Sequence, residues 1–271
     1  MSSLNSVGIG VMYPELLGTY GDGGNALILA QRLRWRGVAV ELVEIRPGDA
    51  IPDSLQLYLL GGGEDGPQAL AADELRASGA LHRAVGAGAA VLAVCAGLQI
   101  MGDTFVGLNK KVLGGLGLVD AHTTTGAGAR RVGELVATPS AGLACDGKAL
   151  PVLTGYENHQ GDTVLGPGVA ALGHVTAGVG NRPGLALDGF HVGRVIGTYC
   201  HGPVLARNPV LADLLLTWAT GNTLTALDDA TCEQLRVERL AHGARGTSEK
   251  GVRATGRSVK RSLGRIGRRL R

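Results

Sequence analysis

Cys95 stands where an apolar run, Ala89 to Val94, ends in Cys-Ala-Gly-Leu-Gln99. A strand that turns sharply into a helix pushes its turn residue out of the sheet. At a helix N-terminus the dipole and the unpaired N–H groups favour a thiolate, the reactive form of cysteine. His201, in Gly197-Thr-Tyr-Cys-His-Gly-Pro203, closes another β-like run, Arg194 to Cys200. A cysteine and a histidine, each at a strand end, make a nucleophile and a base. Cys200 lies next to His201, and strand alternation turns the two side chains to opposite faces, so Cys200 belongs to the core. His82, His122, His174, His191 and His242 read as ordinary structural imidazoles.

The elements that must carry these residues alternate in kind. Ser6–Tyr13 reads as a strand, Gly24–Trp35 as a helix, Val38–Ile45 as a strand, and Leu55–Leu60 as a short apolar strand ending in Gly61-Gly62-Gly63. Pro67–Val85 has a helical pattern, and Ala89–Val94 delivers Cys95. Such alternation predicts an α/β fold with a doubly wound, mostly parallel sheet flanked by helices, whose sites form at the carboxyl ends of strands. Past residue 115 short β-like runs follow one another (Gly117–Thr123, Arg131–Ala137, Val152–Tyr156, Ala170–Thr176, Phe190–Tyr199), which predicts an antiparallel or mixed extension of that sheet. Asn208–Thr220 and Ala226–His242 read as helices.

Composition narrows the class. With two Trp, five Tyr and two Phe, the core must pack on Ala, Val and Leu. The four cysteines form no C-x-x-C pair, so neither a disulfide scaffold nor a zinc site is expected. The apolar stretch before Cys95 is too short to span a bilayer, and the first residues have no basic leader, so the chain reads as cytoplasmic. Residues 244–271 hold ten of the 26 Lys and Arg but one of the 23 acids, leaving 16 basic and 22 acidic groups, a net of −6, on residues 1–243. The expected organisation is a domain over 1–243 and a basic tail over 244–271. In that tail Val259, Leu263, Ile266 and Leu270 recur at helical spacing among Lys and Arg. Either a solvated tail or a basic amphipathic helix at an anionic membrane surface fits, the latter giving peripheral contact at the inner membrane face. No aromatics interleave the charges, so nucleic acid is not an expected partner.

A thiolate attacking an amide carbonyl builds a tetrahedral oxyanion, which backbone N–H groups stabilise. Gly61-Gly62-Gly63 and Ala96 could supply two of them. Taken together, Gly61-Gly62-Gly63, Cys95-Ala-Gly-Leu-Gln99, Gly155-Tyr-Glu-Asn-His-Gln-Gly161 and His201-Gly-Pro203 resemble the class I glutamine amidotransferases of the cobyric-acid-synthase-like branch. Within that family, Leu17-Gly-Thr-Tyr-Gly-Asp-Gly-Gly-Asn25 and His201–Pro209 are most similar to the glutaminase subunits of lipid II isoglutaminyl synthases.

The resemblance implies Cys95 as nucleophile, His201 as base, and Gly63 and Ala96 as oxyanion donors. It implies Arg131, with Arg130 as the alternative, as a holder of the glutamine substrate, and Gln99 with the Tyr156–His159 stretch as pocket lining. The implied activity is hydrolysis of L-glutamine, with ammonia handed within a heterodimer to a MurT-type Mur ligase that acts on lipid II in peptidoglycan synthesis. Corrinoid side-chain amidation and a non-hydrolytic DJ-1-like protein are the alternatives. Position 203 is Pro where many class I relatives have Glu, so the resemblance implies a Cys–His dyad, with the group that orients His201 unidentified. The Tyr20–Asn25 segment reads as a loop capping the following helix. The chain has no G-x-x-x-x-G-K-[ST] run, and no cofactor is expected.

Overall fold

The computed structural model describes residues 6–241. The basic tail and its helical spacing lie outside the described residues.

Four strands, β1 (Val7–Met12), β2 (Val40–Ile45), β3 (Leu57–Leu60) and β4 (Ala90–Val94), run parallel in the order β2-β1-β3-β4. Val195–Thr198 adds in parallel beside β4, and Phe190–Val192 closes the edge antiparallel to it. The single run expected over Phe190–Tyr199 is therefore two strands of a hairpin that turns at Gly193 and Arg194. β3, β4 and Val195–Thr198 are buried along their whole length, which is why they read as continuous apolar runs without alternation.

Helices α1 (Pro14–Leu17), α2 (Gly24–Trp35), α3 (Asp65–Ser78), α4 (Ala80–Gly86) and α5 (Ala96–Met101) fill the crossovers. Strand order reverses between β1 and β3, so right-handed crossovers carry α2 and α3 to opposite faces, and the loops after β1 and β3 part there. The one helix expected over Pro67–Val85 is two, because Gly79 takes the left-handed conformation (φ 62°) and ends α3. Helix Pro209–Thr220 packs on α2, where the buried Arg32 forks between the partly exposed Asp213 and Asp229.

The strands of the Phe190–Tyr199 run extend the central sheet in the mixed way expected, but the earlier short strands do not. They form two separate four-stranded sheets, one built around Arg131–Pro139, Leu153–His159 and Gly173–Ala177, the other around Thr104–Val106, Ala121–Thr125 and Gly161–Leu165. Alternating polarity is common to an extension and a separate sheet, and only pairing distinguishes them. The first of these sheets touches the main one through a bridge between Tyr156 and His201.

Candidate active site

Four neighbouring strands of the central sheet end on one rim. The loop after β1 carries Asp22, the loop after β3 carries Gly61–Gly63, β4 delivers Cys95, and Val195–Thr198 delivers His201. Cys95 has φ 51° and ψ −102°, a backbone conformation that costs a non-glycine residue of order 1–3 kcal/mol. Its N–H donates to Thr198 O at 2.9 Å, and its carbonyl accepts Gln99 N at 3.0 Å. Gly97 makes the turn possible: a Cβ there would lie 2.7 Å from Leu60 O, so α5 could not start this close to β3 with any side chain.

His201 is fully buried. Its backbone exchanges two hydrogen bonds with Tyr156, and the turn before it is fixed by buried Asp188, which accepts from Thr198 Oγ1 at 2.6 Å and Tyr199 N at 3.1 Å. Burial pushes the Asp188 pKa up to about 6. The ring of His201 packs against Gly62, where a Cβ would sit 2.5 Å from Cε1.

The group that orients His201 is Asp22. Its Oδ2 lies 3.0 Å from His201 Nδ1 and also accepts the Gly62 N–H at 2.9 Å. The helix-capping role expected for this segment is not what Asp22 does: the N-cap of α2 is Gly23, without a side-chain cap. Asp22 follows β1, and its 179-residue separation from His201 leaves no local trace; only the adjacency of strand ends joins them. Asp22 Oδ1 has no partner among the described residues, and Asp22 borders a second cavity of about 20 Å³, room for one water. Burial alone would lower the His201 pKa; the Asp22 hydrogen bond and the adjacent Cys95 outweigh it and push the value up to about 10. His201 Nε2 makes no hydrogen bond among the described residues and is the ring nitrogen left for Cys95 chemistry.

Cys95 opens on a cavity of about 160 Å³, whose lining includes Gly63, Ala96 and Gln99. Gly62 N is spent on Asp22, whereas Ala96, the first residue of α5, has an N–H that the helix cannot pair internally. Gln99 shapes the wall with its amide engaged, accepting from Gln68 Nε2 at 2.9 Å and donating to the Tyr199 hydroxyl at 3.2 Å. Of the Tyr156–His159 stretch only His159 reaches the cavity, followed by Gln160 and Gly161. His159 stacks on Tyr199 with ring centroids 3.8 Å apart.

Arg131 does not line the cavity. Its buried guanidinium donates to Gln160 O, Gly161 O and Asp162 Oδ1, so it braces the wall from behind. Arg130, the alternative, faces the cavity, held by Asn158 at 2.6 Å and the Tyr20 hydroxyl at 2.7 Å. Glu64, Asp65, Gln68, Val106, Gly107 and Thr123–Thr125, none expected from the sequence as pocket lining, complete it. Among the described residues Asp103, Asp120 and His122 lie close enough to share a cation, but all are at least partly exposed and none lines this cavity.

A buried Cys–His–Asp line beside free backbone N–H groups is equipped for acyl transfer from an amide. The CobB/CobQ-like glutamine amidotransferase domain model matches residues 8–209. The chain belongs to this family and is a glutamine-hydrolysing amidotransferase. It is similar to the GatD subunit of the glutamine-hydrolysing lipid II isoglutaminyl synthase from Staphylococcus aureus (strain N315), 35% identical over 74% of this chain and 79% of that protein. The GatD subunit from Streptococcus pneumoniae is 33% identical over 77% of this chain and 78% of that one. Cobyric acid synthase from Deinococcus radiodurans is 36% identical over 52% of this chain but 27% of its own length. Among solved structures, a glutamine amidotransferase crystal structure overlies 78% of this chain at 20% identity, with a TM-score of 0.49.

Proposed function

We propose that this chain is the glutaminase subunit of a lipid II isoglutaminyl synthase. The observation that carries the chemistry is the Asp22–His201 pair, 3.0 Å apart and buried, aimed at a cysteine on a strained elbow. Similarity over nearly four fifths of the GatD subunits, against about a quarter of the cobyric acid synthase, supports the cell-wall reading over the corrinoid one.

In the proposed reaction the Cys95 thiolate attacks the side-chain carbonyl carbon of L-glutamine, and the oxyanion is met by the N–H groups of Gly63 and Ala96. As the C–N bond breaks, His201 Nε2 gives its proton to the departing nitrogen, which leaves as ammonia. The thioester is then hydrolysed: His201 takes a proton from water, the hydroxide displaces the sulfur, and glutamate and thiolate are restored. Arg130 holds the substrate carboxylate. The ammonia passes to a MurT-type, ATP-dependent Mur ligase, which amidates the D-glutamate α-carboxyl of lipid II to D-isoglutamine. The ligase seats over the rim formed by Gly61–Asp65 and His201–Arg207, because free ammonia in neutral water becomes ammonium and cannot attack.

Purified with that ligase, ATP, L-glutamine and lipid II, the chain is expected to yield D-isoglutamine, and to amidate nothing without the ligase. ATP-dependent amidation by this chain alone would refute the subunit assignment, and glutamate release coupled to a corrinoid acid but not to lipid II would replace the acceptor.

A further inference from the structure

Tyr20 joins two opposite charges across the mouth of the Cys95 cavity. Its hydroxyl lies 2.5 Å from Glu64 Oε1 and 2.7 Å from Arg130 Nη2. A guanidinium can only donate, so the phenol accepts from Arg130 and donates to the carboxylate. Burial and the Glu64 bond push its pKa up to about 12, so this donor is present throughout the working pH range. The ring is braced from inside: it meets the His201 imidazole edge-on at 4.9 Å and leans over Gly62, where a Cβ would come within 3.0 Å.

Three facts give this bridge a purpose beyond packing. Cys95, Gly63 and Ala96 fix where a scissile amide must lie, so the opposite end of the substrate points toward the mouth. The carboxylate and guanidinium groups of the lining are Glu64, Asp65 and Arg130, a mixed pair of signs that suits a zwitterion. Glu64 and Arg130 stand within two hydrogen-bond lengths of each other with a phenol oxygen between them. Without that spacer, flexible exposed side chains of opposite charge would close on each other and neutralise the site.

We propose that Tyr20 is a specificity-determining residue: it holds the Glu64 carboxylate and the Arg130 guanidinium apart at a fixed separation, so that they take the α-ammonium and α-carboxylate of a free amino acid. This rests on the glutaminase reading for the position of the amide. It selects free L-glutamine over amides that lack the α-ammonium group.

The test measures binding, not turnover, on the full-length chain. Calorimetric titration of the Cys95→Ala protein compares L-glutamine with glutaramic acid, the same molecule without the α-amino group, before and after adding Tyr20→Phe. In Cys95→Ala, glutaramic acid is expected to bind at least tenfold more weakly. Tyr20→Phe should raise the Kd of L-glutamine about tenfold and that of glutaramic acid by clearly less, because glutaramic acid has only the Arg130 contact to lose. An unchanged Kd for L-glutamine, an equal loss for both ligands, or no saturable L-glutamine binding overturns the proposal. In the single Tyr20→Phe variant, iodoacetamide, which has no amino-acid head group, should alkylate Cys95 at the wild-type rate. A large loss of that rate would place the phenol in the chemistry of His201 and also overturn it. A wild-type protein that binds L-glutamine with this selectivity yet releases no glutamate would count against the Cys95 nucleophile instead, and would leave the head-group site standing.

Discussion

At the inner end of the cavity Asp22, His201 and Cys95 form a line of groups shut away from water; at the outer end Glu64, Tyr20 and Arg130 form a second line, half in solvent. The hydrogen bonds outside are the shorter, 2.5 and 2.7 Å against 3.0 Å inside, so length does not set their weight. Their weight differs because of where they lie. In a low-dielectric interior a charge pair governs which protonation state exists at all, whereas at the rim water screens it and ordering the side chains offsets much of the gain. The inner line should therefore control turnover, and the outer line affinity. Losses should be steep inside and shallow outside.

The steepest loss is at Cys95. Cys95→Ala should reduce glutamate release to background with the melting temperature nearly kept, since the elbow needs the backbone and Gly97 rather than the sulfur. His201→Ala should follow with a loss of at least a thousandfold, read by coupled glutamate dehydrogenase assay. Normal turnover in either variant would remove the inner line from the mechanism.

Asp22→Asn comes next, with turnover down on the order of a hundredfold, the range of one misdirected acid–base group. Its signature is in pH. With His201 raised from 6.5 to about 10, the stability it contributes is full below 6.5 and is lost as pH rises through about 10. Glutamine hydrolysis needs the imidazolium to protonate the departing nitrogen, so the alkaline limb of kcat/KM should fall where His201 loses its proton. Without the Asp22 charge that limb must move toward lower pH. An Asp22→Asn profile that coincides with wild type at the alkaline side would mean Asp22 only packs.

The strand-end positions of Cys95 and His201 were legible because each follows a β-like run, apolar over Ala89–Val94 and mixed over Arg194–Cys200, so strand and turn could be read together from neighbouring residues. Asp22 was not, since its segment, Tyr20-Gly-Asp-Gly-Gly-Asn, has the local chemistry of a turn into a helix and its partner is reached only through strand order. The different placements of Arg130 and Arg131 were not legible either, for another reason. Arg131 opens the strand Arg131–Pro139, paired with His159, and Arg130 precedes it. Adjacent residues at a strand start face opposite ways, so one step in register exchanges a pocket residue for a buried brace.

That pair gives the first prediction at the outer line. Arg130→Ala should raise the KM for glutamine about tenfold with little change in melting temperature. Arg131→Ala should instead destabilise the fold by roughly 1–3 kcal/mol, because Asp162 and two wall carbonyls lose their donor. The reverse assignment of KM and stability effects would restore Arg131 as the substrate contact.

The smallest effect is expected at Cys200, one residue before His201. Its sulfur lies against Gly155, where a Cβ would be 2.7 Å from it, and 4.0 Å from Asp188 Oδ2. Burial, and then the nearby Asp188 carboxyl, raise its pKa well above the ordinary thiol value, so it stays protonated and unreactive. Cys95, by contrast, borders the open cavity on a strained backbone. Cys200→Ala removes one buried atom and should cost about 1 kcal/mol or less of stability, with glutamate release within twofold of wild type. Peptide mapping after brief iodoacetamide treatment should find the label on Cys95 and none on Cys200. Labelling of Cys200 at a comparable rate would mean the strand end is open on both faces. The contrast between a thiol sealed in the core and one that faces the cavity would then fail.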